Sequence, residues 1–209
     1  TKFLPNDSRL ITASGEMTCT QWDIATGQII SGTTLRHPDW VTSLDISRDG
    51  QIAITTCEDG IVRLWSVPNA KEIRQIALPE FGFNSARIAP VGTAALLTSA
   101  KQKKLQIWRF GNPESQDTTT SLLDFTQVGG SVWSAAFSPN VEGIVTIGGY
   151  DARGWDLATG RQQIRFSPHG AVAAATLSHD GRYLVTGSWD NSAKIWDSST
   201  GQAIRRLDN

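Results

Sequence analysis

Cysteine is nearly absent from this chain. Cys19 and Cys57 are the only two in 209 residues, too few for a disulfide scaffold and without the paired spacing of a zinc site. Each lies in an apolar, strand-like run, so both are expected as buried free thiols. That favours a reducing compartment, and a cytoplasmic location is the expectation. An excess of one charge is missing too: 19 Lys and Arg against 20 Asp and Glu leave a net charge of −1. Such a balance provides no basic field for nucleic acid or an anionic membrane surface. No apolar run approaches the roughly 18 residues of a membrane-spanning helix, and no signal-peptide pattern opens the chain. An initiator Met is also lacking at Thr1, so the chain is expected to be a piece of something longer. Phosphate-cradling glycine loops, metal-ligand spacings and nucleophile elbows do not occur. No catalytic residue, metal or cofactor is therefore assigned.

Tryptophan is what the chain has in excess, with eight copies. Five of them, Trp22, Trp65, Trp108, Trp155 and Trp196, recur at intervals of 43, 43, 47 and 41 residues, the length of one four-stranded unit. Thr12, Thr55, Thr98 and Thr186 precede their Trp by ten residues and Thr146 by nine. The grammar between these markers repeats. An apolar set spaced three then two, such as Val41/Leu44/Ile46 or Val172/Ala175/Leu177, departs from the period of two that keeps a strand on one face, and so implies a bulge. A turn follows, then a short run apolar on both faces, such as Leu96-Leu97 or Leu184-Val185, which reads as a strand covered on both sides. The third strand alternates into the Trp. A turn of the form Asp-x-Ala-Thr-Gly or Asp-Ser-Ser-Thr-Gly leads to a fourth strand carrying charges, as in Lys71–Ile76 and Ile204–Leu207. Charges of this kind suit an exposed sheet edge.

Short four-stranded antiparallel sheets in series, with no helical period, predict an all-β chain built as a β-propeller. Five blades are expected, approximately 1–35, 36–78, 79–126, 127–167 and 168–209, forming one propeller segment over 1–209. The first lacks most of its innermost strand, so the five are expected to be an arc of a seven-bladed or larger ring. The third carries an insertion near Arg109–Ser121, and the fourth shortens its hairpin by one residue around Gly148–Gly154.

Two repeats hold a complete polar set: His37, Thr55, Asp59 and Trp65, then His169, Thr186, Asp190 and Trp196. Partial sets occur at Thr12, Glu16 and Trp22, at Thr98, Gln102 and Trp108, and at Thr146, Asp151 and Trp155. A hydroxyl, a His and an Asp are also the parts of a hydrolase triad. However, the set recurs with Trp at fixed offsets, and its Thr sits in an apolar strand where a nucleophile is inaccessible. Indole N–H, threonine hydroxyl, neutral imidazole and carboxylate can satisfy one another when buried. The set is read as structural.

Trp22-Asp23, Trp155-Asp156 and Trp196-Asp197, with His37 and His169 ahead of a first strand, make the chain resemble the WD-repeat β-propeller family over nearly its whole length. Trp65-Ser66 and Trp108-Arg109 depart from the dipeptide. The resemblance implies a buried Trp–Thr–His–Asp tetrad in these blades. The turns are similar to those of bacterial members, which often sit in longer chains beside kinase or other signalling domains. It further implies partner contact around the central opening of one face, where Trp40, Thr42, Glu58, Asn84, Lys101, Trp133, Tyr150 and Trp189 would fall. All three Trp left over by the repeat lie in these slots. The leading expectation is a non-enzymatic scaffold that binds a protein or peptide on that face, with no nucleic acid and no membrane. The alternatives are a regulatory segment of a bacterial signalling protein and, behind it, a catalytic propeller acting as hydrolase or lyase.

Overall fold

The computed structural model describes residues 1–5, 8–78, 82, 85–90, 92–99, 101–111, 121–125 (backbone), 132, 134–138, 143–148, 150–167, 170–178 and 180–208. Its strands form five sheets of four. The first holds β1 (Lys2–Phe3), β2 (Arg9–Ser14), β3 (Thr18–Asp23) and β4 (Leu35–Arg36). In the second are β5 (Val41–Ile46), β6 (Ile52–Cys57), β7 (Ile61–Ser66) and β8 (Lys71–Ala77). The third comprises β9 (Ser85–Ile88), β10 (Ala94–Ser99), β11 (Lys104–Arg109) and β12 (Ser121–Phe125). The fourth runs through β13 (Ser134–Phe137), β14 (Gly143–Gly148), β15 (Asp151–Asp156) and β16 (Gln162–Phe166). The fifth is made of β17 (Val172–Leu177), β18 (Tyr183–Ser188), β19 (Ser192–Asp197) and β20 (Ala203–Asp208). Each sheet is an antiparallel meander in chain order, the blade expected from the repeat.

Local sequence explains the order within a blade. The second strand, apolar on both faces, lies between neighbouring blades; all six residues of β6 are buried. The fourth strand carries the charges and faces solvent, most completely in β20, whose six residues are all exposed. The three-then-two spacing of the first strand does produce a bulge, at Val41/Ser43 in β5 and at Val172/Ala174 in β17. In the third blade the insertion is closed at its root, because Arg109 pairs directly with Ser121.

Blades meet through two unlike faces. On the forward face of the first, Ile11, Cys19 and Leu35 pack against Leu44, Ala53 and Trp65 of the second. Ile54, Val62 and Leu64 of the second meet Ala86, Ala95, Leu97 and Trp108 of the third. Leu96, Leu105 and Ile107 then meet Ala135, Ile144 and Trp155, and Val145, Ala152 and Phe166 meet Leu184 and Trp196. An apolar forward face thus covers a Trp-bearing back face each time. Cys19 belongs to this packing, and burial pushes its thiol up to about 12. Polar latches join the innermost strands: Asp45 accepts from Lys2 at 2.7 Å and from the Ile88 N–H at 3.0 Å, and Ser43 accepts from the Ala86 N–H at 3.1 Å. These latches satisfy backbone donors at a strand edge that has no ladder partner.

The Asp after the Trp closes a turn. Asp197 accepts from Ser199 and Thr200, and those bonds hold its carboxyl down to about 2. Asp23 and Asp156 do the same with Thr26 and Thr159. Gly27, Gly160 and Gly201 follow at φ 66°, 67° and 73°, a left-handed conformation that glycine adopts without a Cβ penalty.

Candidate functional site

Two groups of side chains compete for a functional role, the recurring polar sets and the exposed aromatics. In the second blade Thr55 is fully buried; its Oγ1 accepts from Trp65 Nε1 at 2.8 Å and lies 2.8 Å from His37 Nε2. The His37 and Trp65 rings stand 5.0 Å apart. Burial, with the Arg63 charge nearby, pushes the His37 imidazole down to about 4, so it is neutral at physiological pH. Asp59 departs from the expected chain of four. Its Oδ2 accepts from Arg63 Nη2 at 2.6 Å and its Oδ1 from the Ile61 N–H at 2.9 Å. Burial raises the Asp59 carboxyl, but these donors outweigh it and hold it below the ordinary value. A guanidinium on the same hairpin offers a charge-assisted bond that a neutral imidazole does not.

The same division occurs in the fourth blade. Trp155 Nε1 donates to Thr146 Oγ1 at 2.9 Å, while Asp151 is held by Arg153 at 3.0 Å and Arg165 at 2.7 Å. In the fifth, Trp196 Nε1 donates to Thr186 Oγ1 at 2.9 Å, and Asp190 Oδ1 takes the Ser192 hydroxyl at 2.6 Å. Lys194 stands over the Trp196 ring at 5.6 Å. His169 lies outside the described residues. In the first blade Trp22 reaches Thr12 at 2.8 Å, and Glu16 is an exposed turn residue.

The third blade breaks the pattern. Trp108 Nε1 is buried with no hydrogen-bond partner among the described residues, and Thr98 instead makes a long 3.4 Å contact to the Ser85 carbonyl. Register explains this. The Trp residues pair with Leu10, Ala53, Ile144 and Leu184, and in each case the Thr stands two residues further on. Trp108 pairs with Ala95, which places Thr98 three residues on. A shift of one residue turns a strand side chain to the opposite face. The ten-residue interval held, yet the Thr faces away. Gln102 occupies the turn, its N–H bonded to Ser99 Oγ at 3.1 Å.

In four of these sets the Thr hydroxyl accepts from its Trp indole N–H and is held in that bond. The cations Arg63, Arg153 and Lys194 were not anticipated. Their signal is position, since a residue two before the Trp shares its face. Among the described residues no group of three or more His, Cys, Asp or Glu could hold a metal ion.

The aromatics outside the blade joints behave differently. Trp40, Tyr150 and Trp189 are 60%, 76% and 74% exposed. Trp40 enters the first strand of its blade, whereas Tyr150 and Trp189 lie between second and third strands. In an antiparallel meander those places share one end of the sheet, and backbone bonds tie them together. The Glu58 N–H donates to the Trp40 carbonyl and the Trp189 N–H to the Ala171 carbonyl, each at 2.9 Å. Asp39 also takes the Trp40 N–H at 2.8 Å. Glu58 and Lys101 are exposed on the same rim, and Thr42 bonds Thr56 at 2.7 Å. Asn84 and Trp133 lie outside the described residues.

Residues 30–66 and 160–197 match the family model described as WD domain, G-beta repeat. The chain carries WD repeats in these two stretches. The matched stretches fall on the two blades whose polar sets include a His in the sequence. Similarity to longer proteins extends over nearly the whole chain. It is 29% identical over 229 residues to the guanine nucleotide-binding protein subunit beta of Oryza sativa subsp. japonica, across 97% of this chain and 57% of that protein. Identity to the subunit of the same name from Oryza sativa subsp. indica is 30%, with the same coverage. The Arabidopsis thaliana subunit beta is 30% identical, across 93% of this WD-repeat chain and 55% of the relative. The chain therefore spans little more than half the length of these relatives.

Proposed function

We propose that this WD-repeat chain is a binding platform without a reaction of its own, which grips a protein or peptide at the rim bearing Trp40, Tyr150 and Trp189. The observation that carries the reading is the exposure of three large aromatic rings at one end of the blades, two of which, Trp40 and Trp189, stand on backbone-tied segments. Such rings offer contact area at little cost in conformational entropy, and Trp and Tyr dominate binding hot spots. Glu58, Asp39 and Lys101 add charges of both signs around them. The names of the relatives support the reading, since each is a subunit and so a component of an assembly. The Thr hydroxyls that could have suggested hydrolysis are engaged by Trp N–H groups in four blades.

Selection from a displayed peptide library against the intact chain supplies a test. Peptides so obtained should lose about 2 kcal/mol of binding, roughly 30-fold, on Trp189→Ala or Trp40→Ala while the circular dichroism spectrum is unchanged. Peptides that bind both variants as tightly as the parent would overturn the assignment of the rim.

A further inference from the structure

The three exposed rings of the rim differ in the charge beside them. Next to Tyr150, Asp151 is neutralised by Arg153 and Arg165. Next to Trp189, Asp190 turns inward, its Oδ1 on the Ser192 hydroxyl and its Oδ2 buried. Next to Trp40 stand two carboxylates, Asp39 and Glu58. Asp39 is half-buried and held at the ring's own backbone, its Oδ1 taking the Trp40 N–H at 2.8 Å. Glu58 is exposed, and its N–H donates to the Trp40 carbonyl at 2.9 Å. Neither makes an ion pair among the described residues. Asp59, which follows Glu58, is already held by Arg63, and His37 is neutral. The third blade reverses the sign. Gly82 and Lys101 stand where the second blade has Trp40 and Glu58, and a Cβ on Gly82 would lie 3.3 Å from the Lys101 side chain. Lys103 is exposed on the same turn.

We infer, resting on the reading of the rim as the binding face, that the partner is a peptide segment carrying an arginine or lysine. That side chain lies on the Trp40 ring against Asp39 and Glu58, and Tyr150 and Trp189 take apolar residues of the same segment. An aromatic face is electronegative, so it attracts a guanidinium or ammonium while the methylene stem covers apolar surface. Carboxylates beside the ring, with no cation of their own, strengthen that attraction and accept charge-assisted hydrogen bonds. Lys101 and Lys103 repel the same cation from the third blade, which sets the register of the segment along the rim.

Peptides selected from a displayed library against the intact chain provide the test. They should contain a basic residue whose replacement by Gln weakens binding about tenfold. Against a chain carrying Asp39→Asn with Glu58→Gln, the same replacement should weaken binding less than about threefold, because cation and carboxylates act as one interaction. Against Lys101→Gln the tenfold loss should persist. Both carboxylate substitutions keep the side-chain shape, and Asn retains the oxygen that takes the Trp40 N–H. Circular dichroism confirms the fold, and Glu58→Gln alone is the milder version. Peptides that need Trp40 and Trp189 but hold no basic residue would overturn the cation seat and leave the rim reading standing. So would a basic residue that costs the same to replace against the parent and the double variant. Peptides indifferent to both Trp40→Ala and Trp189→Ala would remove the rim reading, and the cation seat with it.

Discussion

Replacing Thr55 by Val keeps the side-chain volume and deletes one oxygen. That oxygen serves two ring nitrogens, Trp65 Nε1 and His37 Nε2, each at 2.8 Å in a fully buried position. Val strands both. An orphaned buried polar group costs about 1–3 kcal/mol, so the pair sets a loss of roughly 2–6 kcal/mol. Thr98→Val is the control inside the same molecule. Its hydroxyl is also buried but makes only the 3.4 Å contact to Ser85, and Trp108 gains nothing from it. Losing one long bond should cost less than about 1 kcal/mol. Urea unfolding followed by Trp fluorescence reads the totals, and amide exchange in β6 and β7 localises the loss to the second blade. Equal costs for the two substitutions, or a Thr55→Val within about 0.5 kcal/mol of the parent, would refute the register argument.

Two further outcomes follow from the geometry. His37 is held at about 4 in the folded chain, below the roughly 6.5 of a free imidazole, so the unfolded chain binds the extra proton between those values. Stability should therefore fall as pH drops from about 6.5 to about 4, by at most roughly 3 kcal/mol, and level off below; His37→Gln should remove that component of the slope. In the turns, Gly201→Ala would place a Cβ 2.6 Å from Ile164 Cγ2 at φ +73°, whereas Gly27→Ala at φ +66° meets nothing within 4 Å. Thermal melts should show Gly27→Ala costing about 1 kcal/mol for the left-handed backbone alone, and Gly201→Ala distinctly more.

The blade architecture was legible because Trp at a fixed period marks one face of every third strand, and the joints bury that face. Bulges were legible for the same reason, since a three-residue step is incompatible with a regular strand. What pairs with what was less legible. Thr98 precedes its Trp by the same ten residues as Thr55, yet the third blade pairs Trp108 one step further from the Thr, and parity rather than distance decides the face. Asp59 read as the partner of His37 because both belong to the set implied by the family; the nearby Arg63, on the Trp65 face, takes the carboxylate instead. The exposed aromatics were legible by elimination, as Trp residues that the repeat does not use. Their exposure was not, because a Trp beside a strand is as compatible with a joint as with solvent.

A nitrogen–proton NMR titration of the eight indole N–H groups with a selected peptide reads directly which tryptophans the partner touches. The Trp40 and Trp189 resonances should shift or broaden, while Trp65, Trp155 and Trp196, hydrogen-bonded inside the blades, stay in place. Shifts confined to the blade tryptophans, with Trp40 and Trp189 unmoved at saturation, would contradict the assignment of the rim.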